Sequence, residues 1–275
     1  MESLVLARKQ ETPDTVSLRV KADMIVTPGQ FIMLGAPLLA DPLLADPAQP
    51  TGSPLRELKR SYSVAGYQVP RRHRSDEACA DVHEGHLGHG GWVEVTIKEQ
   101  QNGTFSRYAQ TLAVGNHIAV YGPFGRHFLW TPETFDSTEH LVWIAGGTGI
   151  APFRCMIHAA IAASYPGRIT LLFSVKTRSD IIYADEMASW RAALPNLHVR
   201  IALTRPTDED KEGWDGLLGR VGERQVKDAI GGDVLNARFF VCGPTSMVND
   251  MAATLQHMAV PATHILAEKY GAIDG

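Results

Sequence analysis

A guanidinium, an aromatic ring and two hydroxyls occupy four consecutive positions, Arg60-Ser61-Tyr62-Ser63, at the start of a short alternating run that ends at Gly66. Side chains alternate in direction along a β-strand, so Arg60 and Ser61 would face opposite ways, as would Tyr62 and Ser63. Such a set offers a fork for a phosphate oxygen, a flat face for a ring system and a hydroxyl for a ring nitrogen. An ordinary strand start, with Tyr62 in a core and Arg60 in solvent, would use the same residues.

Other stretches carry related chemistry. After the turn signal Asn102-Gly103 come Thr104, Phe105 and Ser106, then a short amphipathic stretch with Tyr108, Ala109 and Leu112. Free backbone N–H groups and the positive end of a helix dipole there would suit a phosphate, although a simple helix cap is the alternative. Further on stands Gly146-Gly147-Thr148-Gly149-Ile150-Ala151-Pro152. Its glycines would let backbone approach a pyrophosphate, and Pro152 suits a first helical turn. The spacing is not G-x-G-x-x-G, so the general dinucleotide fingerprint does not vouch for it. Cys242-Gly243-Pro244 reads as a second tight turn before a helix.

These stretches need elements to hold them. From Leu4 to about Val120 the pattern is short β-type runs: Leu4 to Ala7, Val16 to Val20, Phe31 to Leu34, Tyr62 to Ala65, Val93 to Ile97 and Ile118 to Tyr121. Many short strands with Gly and Pro punctuation predict a closed antiparallel β-barrel, with Gly122-Pro123-Phe124-Gly125 as a tight turn closing it. The period changes near Thr131. Apolar runs at 141–145, 169–175, 198–203, 239–242 and 265–267 then alternate with helical patterns at 151–163, 184–194, 222–230 and 246–258. The last pattern sets Met247, Met251, Leu255 and Met258 on one face. This alternation predicts a doubly wound parallel α/β sheet, whose ligands bind beyond the C-terminal strand ends. The expected domains are therefore a barrel over 1–130 and an α/β domain over 131–275.

Two insertions interrupt the barrel, at 38–54 and 69–91. The first repeats Leu-Leu-Ala-Asp-Pro and reads as a loop. The second holds Arg71-Arg72-His73-Arg74, Asp76, Glu77, His83, His86 and His89 without a closing ligand set, so a solvated loop is favoured over a metal site. Cys79, Cys155 and Cys242 are too few for a four-thiolate cluster or zinc site. At 44% hydrophobic, 20% charged and net charge -4, the chain has no basic field that would point to nucleic acid. Residues 1–10 show no export signal, and 141–153 is too short to span a bilayer, so no membrane association and a cytoplasmic location are expected.

Taken in order, these motifs resemble the ferredoxin–NADP reductase superfamily, especially stand-alone bacterial flavin reductases and oxygenase reductase components. Arg60 to Ser63 is similar to that family's R-x-Y-S flavin motif, and Gly103 to Ser106 to its pyrophosphate-side motif. Gly146 to Pro152 is similar to its G-G-T-G-x-x-P nucleotide loop, and Cys242-Gly243-Pro244 to its C-G-P turn. Phe31 after Pro28-Gly29-Gln30, and the terminal Glu268-Lys269-Tyr270-Gly271, also fall where the family would put them.

The resemblance implies an NAD(P)H-dependent, ferredoxin reductase-like enzyme holding FAD. Arg60 would pair with the flavin pyrophosphate, helped by Thr104, Phe105 and Ser106. Tyr62 would lie against the isoalloxazine, Ser63 would hydrogen-bond near N5, and Thr96, Ile97 and Lys98 would line the flavin through backbone contacts. Cys242 and Glu268 would sit near the nicotinamide. Ser174, Arg178 and Arg205 could gather on a 2′-phosphate, where a charge-assisted contact is worth roughly 1.5–3 kcal/mol, which leans the expectation to NADPH over NADH. Electrons would pass to a separate acceptor such as a ferredoxin or an oxygenase component. A reductase of diffusible flavin and an electron-transfer subunit of a larger complex are the alternatives. Tyr270 is not the terminal residue, so it does not match the aromatic that plant-type members stack on flavin.

Overall fold

The computed structural model describes residues 2–36, 58–69, 90–231 and 234–270. Most of both insertions, with Cys79, His83, His86 and His89, lies outside the described residues, as does Gly271.

Six strands close the first unit into an antiparallel barrel. They are β1 (Glu2–Thr12), β2 (Thr15–Lys21), β3 (Phe31–Ala36), β4 (Leu58–Gln68), β5 (Trp92–Lys98) and β6 (His117–Phe124), in the order β1-β2-β5-β4-β3-β6. Alternation explains the core: Val16, Leu18 and Val20 of β2 pack with Val93, Val95 and Ile97 of β5 and with Ile32 and Leu34 of β3. A short helix, α1 (Thr104–Thr111), buries Phe105 and Ala109 against the same cluster.

One expectation needs correction here. Gly122 to Phe124 is not a tight turn closing the barrel but the end of β6, with Phe124 paired to Phe31. A register shift between Phe31 and Met33 absorbs the irregularity. Gly122 has φ +138° and a Cβ there would lie 3.2 Å from Ile32 Cγ2, so glycine lets the strand continue close against β3.

The second unit is a parallel sheet of β7 (His140–Gly146), β8 (Ile169–Val175), β9 (Leu197–Leu203), β10 (Leu217–Leu218), β11 (Ala237–Pro244) and β12 (Ile265–Tyr270), in the order β10-β9-β8-β7-β11-β12. The central strands are apolar runs because helices cover both faces. α2 (Ala151–Ala162) and α3 (Met187–Ala193) pack on one side, while α5 (Glu223–Ile230) and α6 (Thr245–His257) pack on the other. A one-turn helix, α4 (Asp208–Lys211), follows β9. On α6 the buried face is Val248, Met251 and Leu255, with Met258 buried at the C-terminal cap and Met247 only partly covered. Cys242-Gly243-Pro244 is likewise not a free turn: it is the last part of β11, paired with Glu268, Lys269 and Tyr270 of β12.

Chain order reverses between β7 and β11, which is the switch point where such sheets hold ligands. The helix that starts there, α2, is shared. Phe153, Met156 and Ile157 enter the sheet-side core, whereas Cys155 enters the barrel core.

Candidate functional site

At the switch point the chain leaves β7 through Gly146, makes a 3-10 turn over Gly147–Ile150, and enters α2 with Pro152 in its first turn. Packing fixes two of these glycines. A Cβ on Gly149 would stand 2.2 Å from the Cys242 carbonyl oxygen, and one on Gly146 would stand 2.2 Å from Met247 Sδ. Gly147 takes a left-handed φ of +53°. The loop is therefore pressed flat against the end of β11, beside Gly243 and Pro244. Tyr270 lies over it: Gly149 N–H donates to the Tyr270 hydroxyl at 3.1 Å, and that hydroxyl donates to the Gly146 carbonyl.

The barrel supplies a second cluster. β4 pairs with β3 such that Arg60, Ser61, Tyr62 and Ser63 stand opposite Leu34, Met33, Ile32 and Phe31. Arg60 is exposed and donates to the Lys59 carbonyl at 2.8 Å, and among the described residues it meets no carboxylate. Tyr62 is half-buried with its ring 5.8 Å from that of Phe105. Burial pushes its phenol well above the usual range, so it is neutral at any working pH. α1 starts at Thr104 with Gly103 as its cap and no side-chain acceptor, leaving first-turn N–H groups for another partner. The Ser106 hydroxyl is already used: it accepts from Gln100 N–H at 2.9 Å and donates to the Gly103 carbonyl at 3.0 Å.

The two clusters meet at Ser63. Its hydroxyl donates to Glu268 Oε2 at 3.3 Å, and Glu268 is the β12 partner of Cys242 on β11. Burial raises the Glu268 carboxyl to about 7, with the Ser63 hydroxyl pulling the other way. Burial, and then the Glu268 charge, raise the Cys242 thiol well above its ordinary value. Near neutral pH this seam holds a protonated thiol beside a carboxyl poised to gain or lose a proton.

Along β5, Thr96 and Ile97 are buried. Lys98 Nζ bridges Asp14 at 2.7 Å and Asp180 at 3.4 Å, so its side chain ties the barrel to the loop after β8. In that loop Arg178 is engaged: Nε donates to the Asp210 carbonyl at 2.7 Å, Nη2 donates to the Glu212 carbonyl, and the group stacks 5.1 Å over Trp214. Ser174 is partly buried at the end of β8, and Arg205 is exposed after β9.

Residues 143–253 match the oxidoreductase NAD-binding domain family. An NADH-cytochrome b5 reductase 1 from Pyricularia oryzae is 29% identical over 227 residues, covering 81% of this chain and 61% of that protein. The FAD/NAD-binding domain of a nitric oxide dioxygenase from Vibrio cholerae superposes with a TM-score of 0.74 at 19% identity, over 98% of each chain. A ferredoxin NADP+ reductase from Neisseria gonorrhoeae does so with a TM-score of 0.70 at 21% identity, again over 98% of each chain. The chain shares its fold with these reductases. It spans about three-fifths of the length of the b5 reductases it matches.

Within this fold lies a buried group that local sequence pattern does not mark out. Arg154, on α2, is 5% exposed and lies between Glu94 at 3.0 Å and Glu186 at 2.8 Å. A lone arginine in an apolar helical pattern was the available signal. Its partners lie 60 residues upstream and 32 downstream, and no local period connects them.

Proposed function

We propose that this protein is an NAD(P)H-dependent flavoprotein reductase that takes hydride from a nicotinamide nucleotide onto bound FAD and passes electrons to a separate acceptor. The observation that carries this reading is the meeting of Ser63, from the barrel, with Glu268 beside Cys242, from the C-terminal edge of the sheet. The donor set fits both cofactors. A flavin dinucleotide suits the exposed Arg60 fork, the half-buried Tyr62 ring and the uncapped start of α1. A nicotinamide nucleotide suits the switch-point loop. In this reading the barrel domain is 1–130 and the nucleotide domain 131–275.

Bound flavin supplies the exchange between two-electron and one-electron chemistry that no side chain provides. The chain supplies the rest. Arg60 and the N–H groups of Thr104 to Ser106 would hold the pyrophosphate, with Gly103 giving the turn. Tyr62 would pack on the ring system and Thr96 to Lys98 would line it. Ser63 would donate near N5. Glu268, with a carboxyl near 7, can hold a proton for Ser63 Oγ at neutral pH and release it above that. Cys242, kept as a thiol, would give the nicotinamide a neutral surface.

For the nucleotide we infer NADH. A 2′-phosphate would need Ser174, Arg178 and Arg205 to gather on it. Arg178 is committed to the Asp210 and Glu212 carbonyls, and Asp208, Glu209, Asp210 and Glu212 make the surroundings poor for a 2′-phosphate. The P. oryzae relative carries NADH in its name, which agrees. A cytochrome, a ferredoxin or an oxygenase component remain candidate acceptors, and the proposed location is cytoplasmic. Among the described residues no helix is long and apolar enough to cross a membrane.

The deciding experiment is absorbance of the purified protein, then anaerobic titration with NADH and NADPH. A stoichiometric flavin spectrum bleached by NADH, with kcat/KM at least about tenfold above that for NADPH, is expected. A protein that takes up no FAD would overturn the reading. A clear NADPH preference would overturn the nucleotide assignment alone.

A further inference from the structure

Away from Ser63, a polar cluster is buried between the barrel and the sheet. Arg154 Nη1 reaches Glu94 Oε1 of β5 at 3.0 Å and donates to the Ala65 carbonyl of β4 at 3.1 Å. Its Nε donates to Glu186 Oε2 at 2.8 Å. The guanidinium also lies 5.0 Å over the Tyr183 ring. Tyr183 is fully buried and holds a left-handed φ of +58°, rare for an aromatic residue, and its hydroxyl bonds to Thr96 of β5. Thr96 in turn meets Ser17 of β2 at 2.9 Å. Outer groups contact the two carboxylates, with Lys9 shared between Glu186, Glu11 and Asp185. Arg19 meets Glu94 at 3.0 Å, while His158 at 3.5 Å and Lys9 at 3.8 Å meet Glu186. The barrel makes room for the guanidinium at Gly66, where a Cβ would stand 2.9 Å from Arg154 Nη1.

The placement of these groups matters more than their number. Ala65 is two residues from Ser63 on one strand, and Glu94 is two residues from Thr96 on the next. Arg154 lies in the first turn of α2, directly after the switch-point loop. Domains within one chain move relative to each other by default unless something fixes their interface. Apolar contact alone permits sliding, whereas a guanidinium between two carboxylates and a carbonyl fixes direction as well as distance.

We propose that Arg154 is a positioning residue that sets the spacing between the switch-point loop and Ser63, and so governs hydride transfer without governing the affinity for either cofactor. This rests on the reductase reading above. Each proposed cofactor site is built mainly within one domain: Arg60, Tyr62 and α1 in the barrel, the glycine loop in the sheet. Binding can therefore survive a loosened interface. Hydride transfer cannot, because it needs atoms from both sites within roughly 3–3.5 Å, and a slip of about 1 Å can cost about 100-fold.

The test compares Arg154→Lys and Tyr183→Phe with the wild type. Lys keeps the charge but cannot reach Glu94, Glu186 and the Ala65 carbonyl together. Phe removes one hydroxyl and leaves no buried charge, so it carries the test if the Lys variant fails to fold. Expected for Arg154→Lys are FAD content and NAD+ dissociation constant within about twofold of wild type, with flavin reduction at saturating NADH slowed about 100-fold. Tyr183→Phe should slow it about tenfold with the same binding. In the FAD-free protein, hydrogen exchange should speed up in both variants at 63–66, 92–98 and 181–186, while β2 stays protected. Flavin reduction within twofold of wild type in both variants would overturn the proposal. So would unchanged exchange at those segments, or a loss of cofactor binding that matches the loss of rate. If the wild type takes up no FAD, the reductase reading fails, and the exchange measurement still decides whether Arg154 clamps the domains.

Discussion

Where Ser63 meets Glu268, the barrel and the sheet share a hydrogen bond of 3.3 Å between partly exposed side chains. Where Arg154 crosses between them, a 5% exposed guanidinium engages Glu94, Glu186 and the Ala65 carbonyl. The first seam is sparse, partly exposed and titratable. The second is dense and buried. In the proposed reading, stability and chemistry are separated along one interface. On that reading the clamp would hold the barrel to the sheet and leave the Ser63 seam free to exchange partners.

That separation can be broken most severely at the clamp. Arg154→Ala leaves Glu94 and Glu186 facing each other across a buried space, and breaking such a pair costs about 3–5 kcal/mol. Chemical denaturation should show the loss, while Ser63→Ala should change stability by less than about 1 kcal/mol. Equal losses at both positions would erase the contrast.

Within the proposed chemistry, the next effect should come from Ser63→Ala, which is expected to slow flavin reduction about 100-fold in stopped flow with FAD retained. Arg60→Ala should do the reverse, weakening FAD retention by about tenfold or more with little change in the reduction rate of the loaded protein. If both variants lost the same property, the barrel motif would not divide its labour as assigned.

The smallest effect is electrostatic. Because the Glu268 carboxyl is raised from 4.5 to about 7, the folded chain holds its proton more tightly than the unfolded chain. Its contribution favours the fold below pH 4.5 and is lost as pH rises through 7. Glu268→Gln should flatten this part of the Tm–pH profile. The clamp behaves oppositely. Burial would raise the Glu186 carboxyl, but His158 and Arg154 outweigh it and hold it at about 2, so its contribution is present above pH 4.5 and fades as pH falls toward 2. A profile with the same slope in Glu268→Gln as in the wild type would remove the seam's titratable character.

Local pattern carried much of the architecture. Two-residue alternation marks the strands of the barrel, and the change to apolar runs with intervening helices marks the parallel sheet. The glycine loop was visible as a loop, but its reason was only half legible. Gly146 and Gly149 are demanded by Met247 and by the Cys242 carbonyl, which no local spacing reveals. The turns read at Gly122 and at Cys242 are strand ends instead, because pairing with β3 and β12 carries extended backbone through residues that favour turns.

The sequence by itself determined the order of elements and the residue types at each strand end, since these depend on periodicity and turn chemistry within a few residues. Tertiary structure alone decided which of those residues meet. Ser63 and Glu268 are 205 positions apart, and Arg154 and the Ala65 carbonyl are 89 apart. Such pairs form only when barrel closure and sheet register bring two surfaces together, and a single chain carries no periodic trace of that event. For the same reason Tyr183, in an unremarkable stretch of sequence, becomes a fully buried bridge to Thr96 once the domains are docked.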